Sequence, residues 1–236
     1  MTGDTNLSTI AILAAMQPEL KPLVRRLGLV KQRLGDVDGY RAEVRGVDVI
    51  AAVTGIGTTR ATDVTGRVLD AVPVQHVVVI GICGGIDGVS AVGDVIVPES
   101  VLNGITGNTY QPTAIPGTTP AGTLHTSDVL VGAPDDLAAL VARGVIALDM
   151  ETAAIGAAAE ARGLPWSCVR GVSDIAGDTD DEILAMSGTD GSGDARAVAR
   201  FLMKHPARVR QLGRLARGMR VAVDASVTTA LNAYVP

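Results

Sequence analysis

Short apolar runs recur along this chain and alternate with segments whose apolar residues have helical spacing. Three of these runs are largely apolar throughout, which is typical of strands buried on both faces of a sheet; they are Ser8–Ala14, Val74–Ile80 and Trp166–Val172. Helices are predicted from about Pro18 to Leu27 and from about Thr58 to Ala71. Strands and helices in alternation predict an α/β fold with a mostly parallel sheet.

Two further patterns fill the regions between these elements. Tyr40–Val44 and Val47–Val53 are separated by two residues and predict a hairpin. Residues 103–123 are rich in Gly, Thr and Pro. We expect them to form a long loop near the site or at an interface, since a stretch of this length without regular structure is commonly functional.

The C-terminal third predicts a loop and then a helix. An acidic, Gly-rich loop is expected to about Asp194, and a basic helix, interrupted by a proline, is expected to end at about Val223. The length suits one domain over residues 1–236, in which we expect residues 1–8 to be disordered and residues 224–236 to form a C-terminal tail.

Composition excludes several classes of function. Hydrophobic residues make up 47% of the chain, yet no apolar run approaches the roughly 18 residues that a membrane span needs. The polar N-terminus does not resemble a secretory signal, and Cys83 and Cys168 both lie in apolar strands, so a reduced, cytoplasmic protein without disulfides is expected. A net charge of −5 and 2% aromatic residues argue against nucleic acid as a partner. The three histidines share no metal-ligand spacing, and neither a metal nor a cofactor is expected.

The most informative stretch is Leu148–Asp178, where two carboxylates follow two strands. Glu151 comes soon after the strand Val145–Leu148, and Asp174 follows the strand Trp166–Val172, with one Ala-rich helix between them. A right-handed crossover predicts two parallel strands, close together, whose carboxyl ends face one crevice, where ligands bind in open α/β sheets. Taken singly, each acid is equally well explained as a helix-terminal or turn-capping residue. As a pair, they indicate a ligand site.

Two glycine-rich turns follow other strands. Gly55-Ile56-Gly57 precedes a helix and half-resembles a dinucleotide-binding turn, but Arg60 stands where that fingerprint has its third glycine, so a nicotinamide cofactor is not expected. Gly57 and Arg60 are instead candidates for holding an anion at the helix N-terminus. Gly81 and Gly84 lie in the second turn, and such glycines let the backbone approach a small polar ligand closely.

Five motifs carry a resemblance to a known superfamily in their order and spacing. They are AAMQPEL, TGIGTTRA, VIGICGGI with GDVIV, ALDMETAAI and VRGVSDIAGD, and they span about residues 10–180. The chain resembles the purine nucleoside phosphorylase and methylthioadenosine/S-adenosylhomocysteine nucleosidase superfamily. The resemblance implies a three-layer, nucleoside-phosphorylase-like fold in which a central mixed, mostly parallel twisted sheet is flanked by helices. Glu19 in the first motif resembles the nucleosidase branch more than the phosphorylases, although it is also explained as an acid in a first helical turn.

The resemblance implies how a purine N-glycosidic bond would be cleaved. Asp174 matches the general acid that protonates or hydrogen-bonds N7 of the leaving base, a contribution of roughly 10²- to 10⁴-fold, and Ser173 lies beside it to orient it or bind the base. Glu151 matches the carboxylate that binds the ribose hydroxyls, as carboxylates do in glycosidases. Met150 matches the residue that packs under the ribose.

The nucleophile is assigned by the same resemblance. Glu19 matches the base that activates water, and Arg170 is expected to orient that water or Glu19; an arginine paired with a nearby acid is the alternative. Ile82 stands where many relatives have a Ser or Thr that contacts the nucleophile. Val79 stands where hexameric bacterial phosphorylases have a phosphate-binding arginine. Both departures remove polar contacts.

The base pocket departs from the family as well. The segment between Gly93 and Asp149 is shorter than in the nucleosidases by about one helix, and His125–Leu130 matches the base-pocket segment. Leu130 replaces an aromatic residue that would stack on adenine, a contact worth about 1–3 kcal/mol. The substrate-binding set predicted from the resemblance is Met150, Glu151, Ser173, Gly81, Ile82, Gly84 and Leu130.

Three functions remain open at this point. The first is hydrolysis of a purine nucleoside, the second is its phosphate-dependent cleavage, and the third is nucleoside binding without efficient catalysis. The partners expected are accordingly a small purine nucleoside and, for the second function, phosphate, with neither nucleic acid nor membrane. We also expect a homodimer or a dimer-based oligomer, because the shortened region after Gly93 leaves the pocket with few walls of its own.

Overall fold

The structure, a computed structural model, describes residues 8–129, 131–175 and 209–235. The strands of these residues are β1 Ser8–Ala14, β2 Val30–Leu34, β3 Val37–Val44, β4 Val47–Val53, β5 His76–Gly85, β6 Val95–Ile96, β7 Ser100–Asn103, β8 Thr109–Tyr110, β9 Thr123–Thr126, β10 Val145–Asp149 and β11 Trp166–Ile175. The helices are α1 Gln17–Leu27, α2 Thr58–Ala71, α3 Pro134–Val141, α4 Thr152–Glu160 and α5 Val209–Tyr234.

These strands form one mixed sheet, as predicted. Its order is β2-β3-β4-β1-β5-β10-β9-β7-β8. Strand β11 lies outside this order: it pairs with β5 and also with β6. Parallel pairing joins β4, β1, β5 and β11 at the centre, whereas β2, β3 and β4 form the antiparallel ribbon that includes the predicted hairpin.

Helices cover both faces of the sheet and give the predicted three layers. Alternate residues along the central strands point to opposite faces, so Val77 and Val79 of β5 lie in one core while Val78 and Ile80 lie in the other. Helices α2 and α4 complete the first core, and α1 and α5 complete the second. Strands buried on both faces explain the uninterrupted apolar runs of the sequence.

Strand β5 organises the site because one of its two edges changes partners. Along one edge it pairs with β1 as far as Val79 and with β10 from Gly84, while β11 follows the other edge throughout. The prediction that β10 and β11 are parallel is wrong: β11 runs parallel to β5, whereas β10 pairs antiparallel with the end of β5, which lies between them. Leu148 and Asp174 nevertheless flank the same residue, Gly84, so both predicted acidic segments reach one place.

Some boundaries also differ from the sequence-based expectations. Helix α5 continues to Tyr234, so residues 224–234 are not a tail; Val227 and Ala230 continue its buried stripe at helical spacing and pack in the core. The predicted loop 103–123 contains the short strand β8 and meets β7 and β9 at its ends. The predicted disorder of residues 1–8 is wrong at Ser8, which begins β1. The first seven residues and most of the loop predicted between Asp174 and Asp194 lie outside the described residues.

Helix α5 contacts β11 with very little space between the two backbones. A Cβ added to Gly171 of β11 would overlap the carbonyl oxygen of Ala222 and lie 2.7 Å from its Cα. Backbone atoms cannot move aside as a flexible side chain can. We conclude that Gly171 is required for the approach of α5 to the sheet.

We expect Gly171→Ala to lower the free energy of unfolding by about 2 kcal/mol or more, since overpacking a rigid contact costs roughly 1–3 kcal/mol. Gly66→Ala is the matched control: Gly66 lies inside α2, and its added Cβ would meet only the end of the Arg162 side chain at 3.4 Å. Alanine is the better helix former, so this variant should be stabilised by about 0.5–1 kcal/mol. Chemical denaturation measures both, and equal stability of the two variants would contradict the packing argument.

Candidate active site at the edge of strand β5

The site begins in the stretch of β5 between its pairing with β1, which ends at Val79, and its pairing with β10, which begins at Gly84. Glu19 lies in the first turn of α1 and is only 1% exposed. Its Oε2 accepts a hydrogen bond from the Met16 N–H (2.8 Å), and its Oε1 accepts one from the Ile82 N–H on β5 (2.9 Å). Glu19 therefore caps its own helix, as its position predicts, and also binds the backbone of the second glycine-rich turn.

Arg170 places a buried positive charge beside Glu19. Its guanidinium is 1% exposed; Nη2 lies 2.6 Å from Oδ2 of Asp149, and Nη1 lies 3.9 Å from Oε1 of Glu19. Nη2 also donates to Oγ1 of Thr152 (2.7 Å). The closer carboxylate is Asp149, which matches the alternative considered for Arg170, an arginine paired with a nearby acid, while its distance to Glu19 still allows the predicted interaction.

Asp149 is the residue that sequence reasoning missed. It ends β10 and is buried; besides Arg170, its carboxylate accepts hydrogen bonds from Oγ1 of Thr126 (2.6 Å) and from the N–H of Thr152 (2.9 Å). It therefore joins β9, β10, β11 and the start of α4. The sequence did contain a signal, since Asp149 is a carboxylate at the end of an apolar strand. The functional role was assigned instead to Glu151, two residues later.

Glu151 is held at the point where α4 begins. It is the N-cap residue of α4 and 5% exposed, and its Oε1 accepts a hydrogen bond from the Gly57 N–H (2.9 Å) at the N-terminus of α2. Burial, followed by repulsion from Asp149, raises the pKa of Glu151 to about 8, although Arg170 and the Gly57 N–H act in the opposite direction. Met150, beside it, is half-buried.

The N-terminus of α2 receives a second carboxylate from the protein itself. Asp128, in the loop after β9, accepts hydrogen bonds from both the N–H and the hydroxyl of Thr58, each at 2.7 Å. Of the residues predicted to hold an anion here, Gly57 donates to Glu151, and Arg60 is exposed in the first turn of α2. Protein carboxylates thus occupy the backbone donors expected to bind an external anion.

Gly81 allows the charged groups to meet. Its φ of 148° lies in the region that favours glycine, and a Cβ there would lie 2.5 Å from Oε1 of Glu19 and still closer to Nη1 of Arg170. The close approach at this glycine is to side chains of the protein itself, and its predicted role in binding a ligand stays a prediction. The space that a side chain would fill is taken by a carboxylate and a guanidinium.

Asp174 and Ser173 lie at the end of β11, on the other side of β5. The hydroxyl of Ser173 donates to Oδ1 of Asp174 (2.5 Å) and lies 3.2 Å from the carbonyl oxygen of Cys83. Asp174 is half-buried and in register with Gly84, where a Cβ would lie 3.7 Å from Oδ2 of Asp174. The glycine thus faces the acid at the distance of an ordinary contact.

The structure therefore gathers most of the predicted site around the end of β5. The residues whose contacts join there are Glu19, Gly57, Gly81, Ile82, Gly84, Glu151, Arg170, Ser173 and Asp174. Leu130, predicted to face the base, lies outside the described residues. Within the part of the chain that is described, no helix is both long enough and apolar enough to span a bilayer.

The sequence profile of the phosphorylase superfamily matches residues 9–130 and 118–204. The chain belongs to the phosphorylase superfamily. A 5′-methylthioadenosine/S-adenosylhomocysteine nucleosidase of Tolumonas auensis is 27% identical over 199 residues, covering 71% of this chain and 86% of that relative. The corresponding nucleosidase of Bacillus subtilis is 26% identical over 199 residues, which also cover 71% of this chain and 86% of that relative.

Solved structures with the same fold include the two that follow. The 5′-methylthioadenosine/S-adenosylhomocysteine nucleosidase of Colwellia psychrerythraea, in complex with adenine, superposes with a TM-score of 0.72 at 21% identity, covering 95% of this chain and 93% of that one. Futalosine hydrolase of Helicobacter pylori superposes with a TM-score of 0.71 at 16% identity, covering 95% and 96%. These likenesses show the fold of this chain.

The raised pKa of Glu151 predicts a pH-dependent stability. A carboxyl group with a higher pKa in the folded than in the unfolded state stabilises the fold at low pH, and that contribution is lost as pH rises from about 4.5 to about 8. Glu151→Gln keeps an acceptor for Gly57 without the charge. We expect its Tm to exceed that of the wild type by an amount that grows by roughly several degrees between pH 5 and pH 8. Exposed Glu99→Gln is the control; parallel Tm curves for wild type and Glu151→Gln would refute the assignment.

Proposed function

We propose that this protein hydrolyses the N-glycosidic bond of a purine nucleoside, with nucleosides resembling methylthioadenosine or S-adenosylhomocysteine as its substrate class. One observation favours water over phosphate as the nucleophile. The N–H groups of Gly57, Thr58 and Ile82, in the two turns available to an anion, each bind a carboxylate of the protein. A phosphate at either turn would have to displace or adjoin these negative charges.

Glu19 is suited to the role of the base that activates water. Burial raises its pKa, while Arg170 and the N–H groups of Ile82 and Met16 lower it. A general base works best when its pKa lies near the operating pH, because it is then ionised and still accepts a proton readily. In the proposed reaction Glu19 takes a proton from water as the water oxygen bonds to C1′ of the sugar.

Asp174 and Glu151 are assigned to the leaving base and the sugar. As the bond between C1′ and N9 breaks, its electron pair goes to the purine, and Asp174 donates a proton to N7; Ser173 orients the carboxyl group through Oδ1. Glu151 binds the ribose hydroxyls through hydrogen bonds that strengthen as positive charge develops on the sugar. The products are the free purine and a ribose derivative.

The surroundings of these groups support the same chemistry. The carboxylates of Glu19, Asp149 and Glu151 gather around the single guanidinium of Arg170, so the ionised cluster has an excess of negative charge. Fixed negative charge in a buried site stabilises an oxocarbenium-like transition state without further reorganisation. The expected homodimer or dimer-based oligomer, the cytoplasmic location and the single domain stay predictions.

Asp174→Asn should lower kcat for purine release by at least about 10²-fold with the fold intact, because asparagine cannot donate a proton to N7. The release of adenine from methylthioadenosine, followed by absorbance, measures this effect. Asp63→Asn, which changes an exposed acid on α2, is the matched control and should retain wild-type turnover. Near wild-type activity of Asp174→Asn would remove Asp174 from the role of general acid.

Glu19→Gln should abolish phosphate-independent release, and added phosphate should not restore it, since Val79 and Ile82 leave the site short of phosphate ligands. A panel of purine nucleosides, assayed with and without phosphate, provides the measurement together with identification of the sugar product. A wild type that is inert without phosphate and forms a ribose 1-phosphate with it would overturn hydrolysis and favour phosphorolysis. A wild type that binds nucleosides without cleaving them would instead support a binding protein.

A further inference from the structure

Helix α5 inserts a hydroxyl group into the sheet directly behind the proposed site. Ser226 of α5 is fully buried; its Oγ accepts a hydrogen bond from the N–H of Gly81 on β5 (3.1 Å) and donates one to the carbonyl oxygen of Val169 on β11 (2.9 Å). Each hydrogen-bonding group of this side chain is therefore used within the sheet.

These two backbone groups belong to one rung of the β5–β11 ladder. The ladder starts with the Val77 N–H, which donates to the carbonyl of Pro165, and the strands stay in register to the pair Gly81 and Arg170. In a parallel ladder, successive N–H groups of one strand point to opposite edges. Counting on by twos, the Gly81 N–H faces the carbonyl of Val169. The Ser226 hydroxyl bridges the two groups that would otherwise be bonded only to each other.

The next N–H along β5 points the other way and carries the contact with Glu19. Ile82 donates to Oε1 of Glu19, so two consecutive N–H groups are fixed on opposite edges of β5 by side-chain oxygens, one from α5 and one from α1. Gly81 separates them, and a glycine at φ 148° has no side chain to restrict its backbone. The peptide that presents the Ile82 N–H is thus oriented by its contacts.

The backbone of α5 is held against the same strand. Gly218 lies so close to β11 that a Cβ there would overlap the carbonyl oxygen of Ser173, and Gly171 of β11 meets Ala222 in the same way. The contacts of α5 with β11 are therefore made by Gly218, Ala222 and Ser226, which are four residues apart and lie on one face of the helix. Helix α5 therefore has no room to shift relative to the rung.

We propose that Ser226 is a positioning residue of the active site, whose hydroxyl fixes the Gly81 rung so that the Ile82 N–H and Arg170 are both presented to Glu19. The inference rests on the proposed function only for the consequence in catalysis. Ser226 touches no reacting atom; it acts through Gly81. The charged groups around Glu19 are Arg170 from β11, Asp149 from β10 and Glu151 from the turn after β10.

Ser226→Ala tests the proposal, with Val227→Ala as its matched control. Val227 is the next residue, is equally buried in the core and has no hydroxyl, so its truncation removes packing without touching the rung. The titration of Glu19 is followed by NMR of ¹³C-labelled glutamate side chains, with the signal assigned by Glu19→Gln. The pH dependence of kcat/KM for adenine release is measured on the same proteins.

We expect Ser226→Ala to move the titration of Glu19 to higher pH by roughly 0.5–1 unit, because a carboxylate that loses an N–H donor is less stabilised in its charged form. The limb of kcat/KM that requires ionised Glu19 should shift with it, and kcat at pH 7 should fall about 3- to 10-fold while KM changes less than about twofold. Val227→Ala should lower Tm and leave the titration of Glu19 unchanged.

Identical titration of Glu19 in the two variants would overturn the proposal. Should Ser226→Ala fail to fold, Ser226→Cys takes its place and the same comparison decides, because its thiol fills the space of the hydroxyl but forms only weak hydrogen bonds. The NMR measurement does not depend on turnover. A wild type that releases no purine would therefore count against the proposed function, while the shift of the Glu19 signal would still decide the role of Ser226.

Discussion

The buried charge of Arg170 is the constraint around which the site is arranged. A guanidinium that is 1% exposed must be paired and hydrogen-bonded, because an uncompensated charge in the interior costs several kcal/mol. Asp149 and Thr152 meet this need. Asp149 in turn holds Thr126 and the first N–H of α4, so satisfying one charge brings β9, β10, β11 and α4 to common positions. Removal of either Arg170 or Asp149 would leave the charge of the other buried without compensation.

This arrangement also determines where protons lie. Arg170 is surrounded by Asp149, Glu19 and Glu151, and one positive charge cannot offset three negative ones. The closest carboxylate, Asp149, receives most of the compensation; burial raises the pKa of both Glu19 and Glu151. Carboxylates whose pKa is raised accept a proton more readily, which suits a reaction in which one carboxylate takes a proton from water while the sugar becomes cationic.

How much the sequence could predict depended on whether the contacts were local. Glu19, Glu151 and Asp174 were predicted because each follows an apolar strand within a few residues, and the superfamily motifs identified the same positions. Asp149 was missed because two of its partners, Thr126 and Arg170, lie more than 20 residues away along the chain, while its local contact with Thr152 does not distinguish it from a turn acid. The relation between β10 and β11 was predicted wrongly, since it depends on β5, a strand remote in sequence from both.

The edge of β5 explains why carboxylates meet backbone N–H groups here. Between its pairing with β1, which ends at Val79, and its pairing with β10, which begins at Gly84, the Ile82 N–H needs an acceptor that a neighbouring strand would normally supply. In α/β proteins, ligands bind at the point of the sheet where the order of the strands reverses. Here the acceptor is Glu19, so the group that satisfies the backbone is also the base of the proposed reaction. On that view, folding and the choice of water as nucleophile depend on the same hydrogen bond.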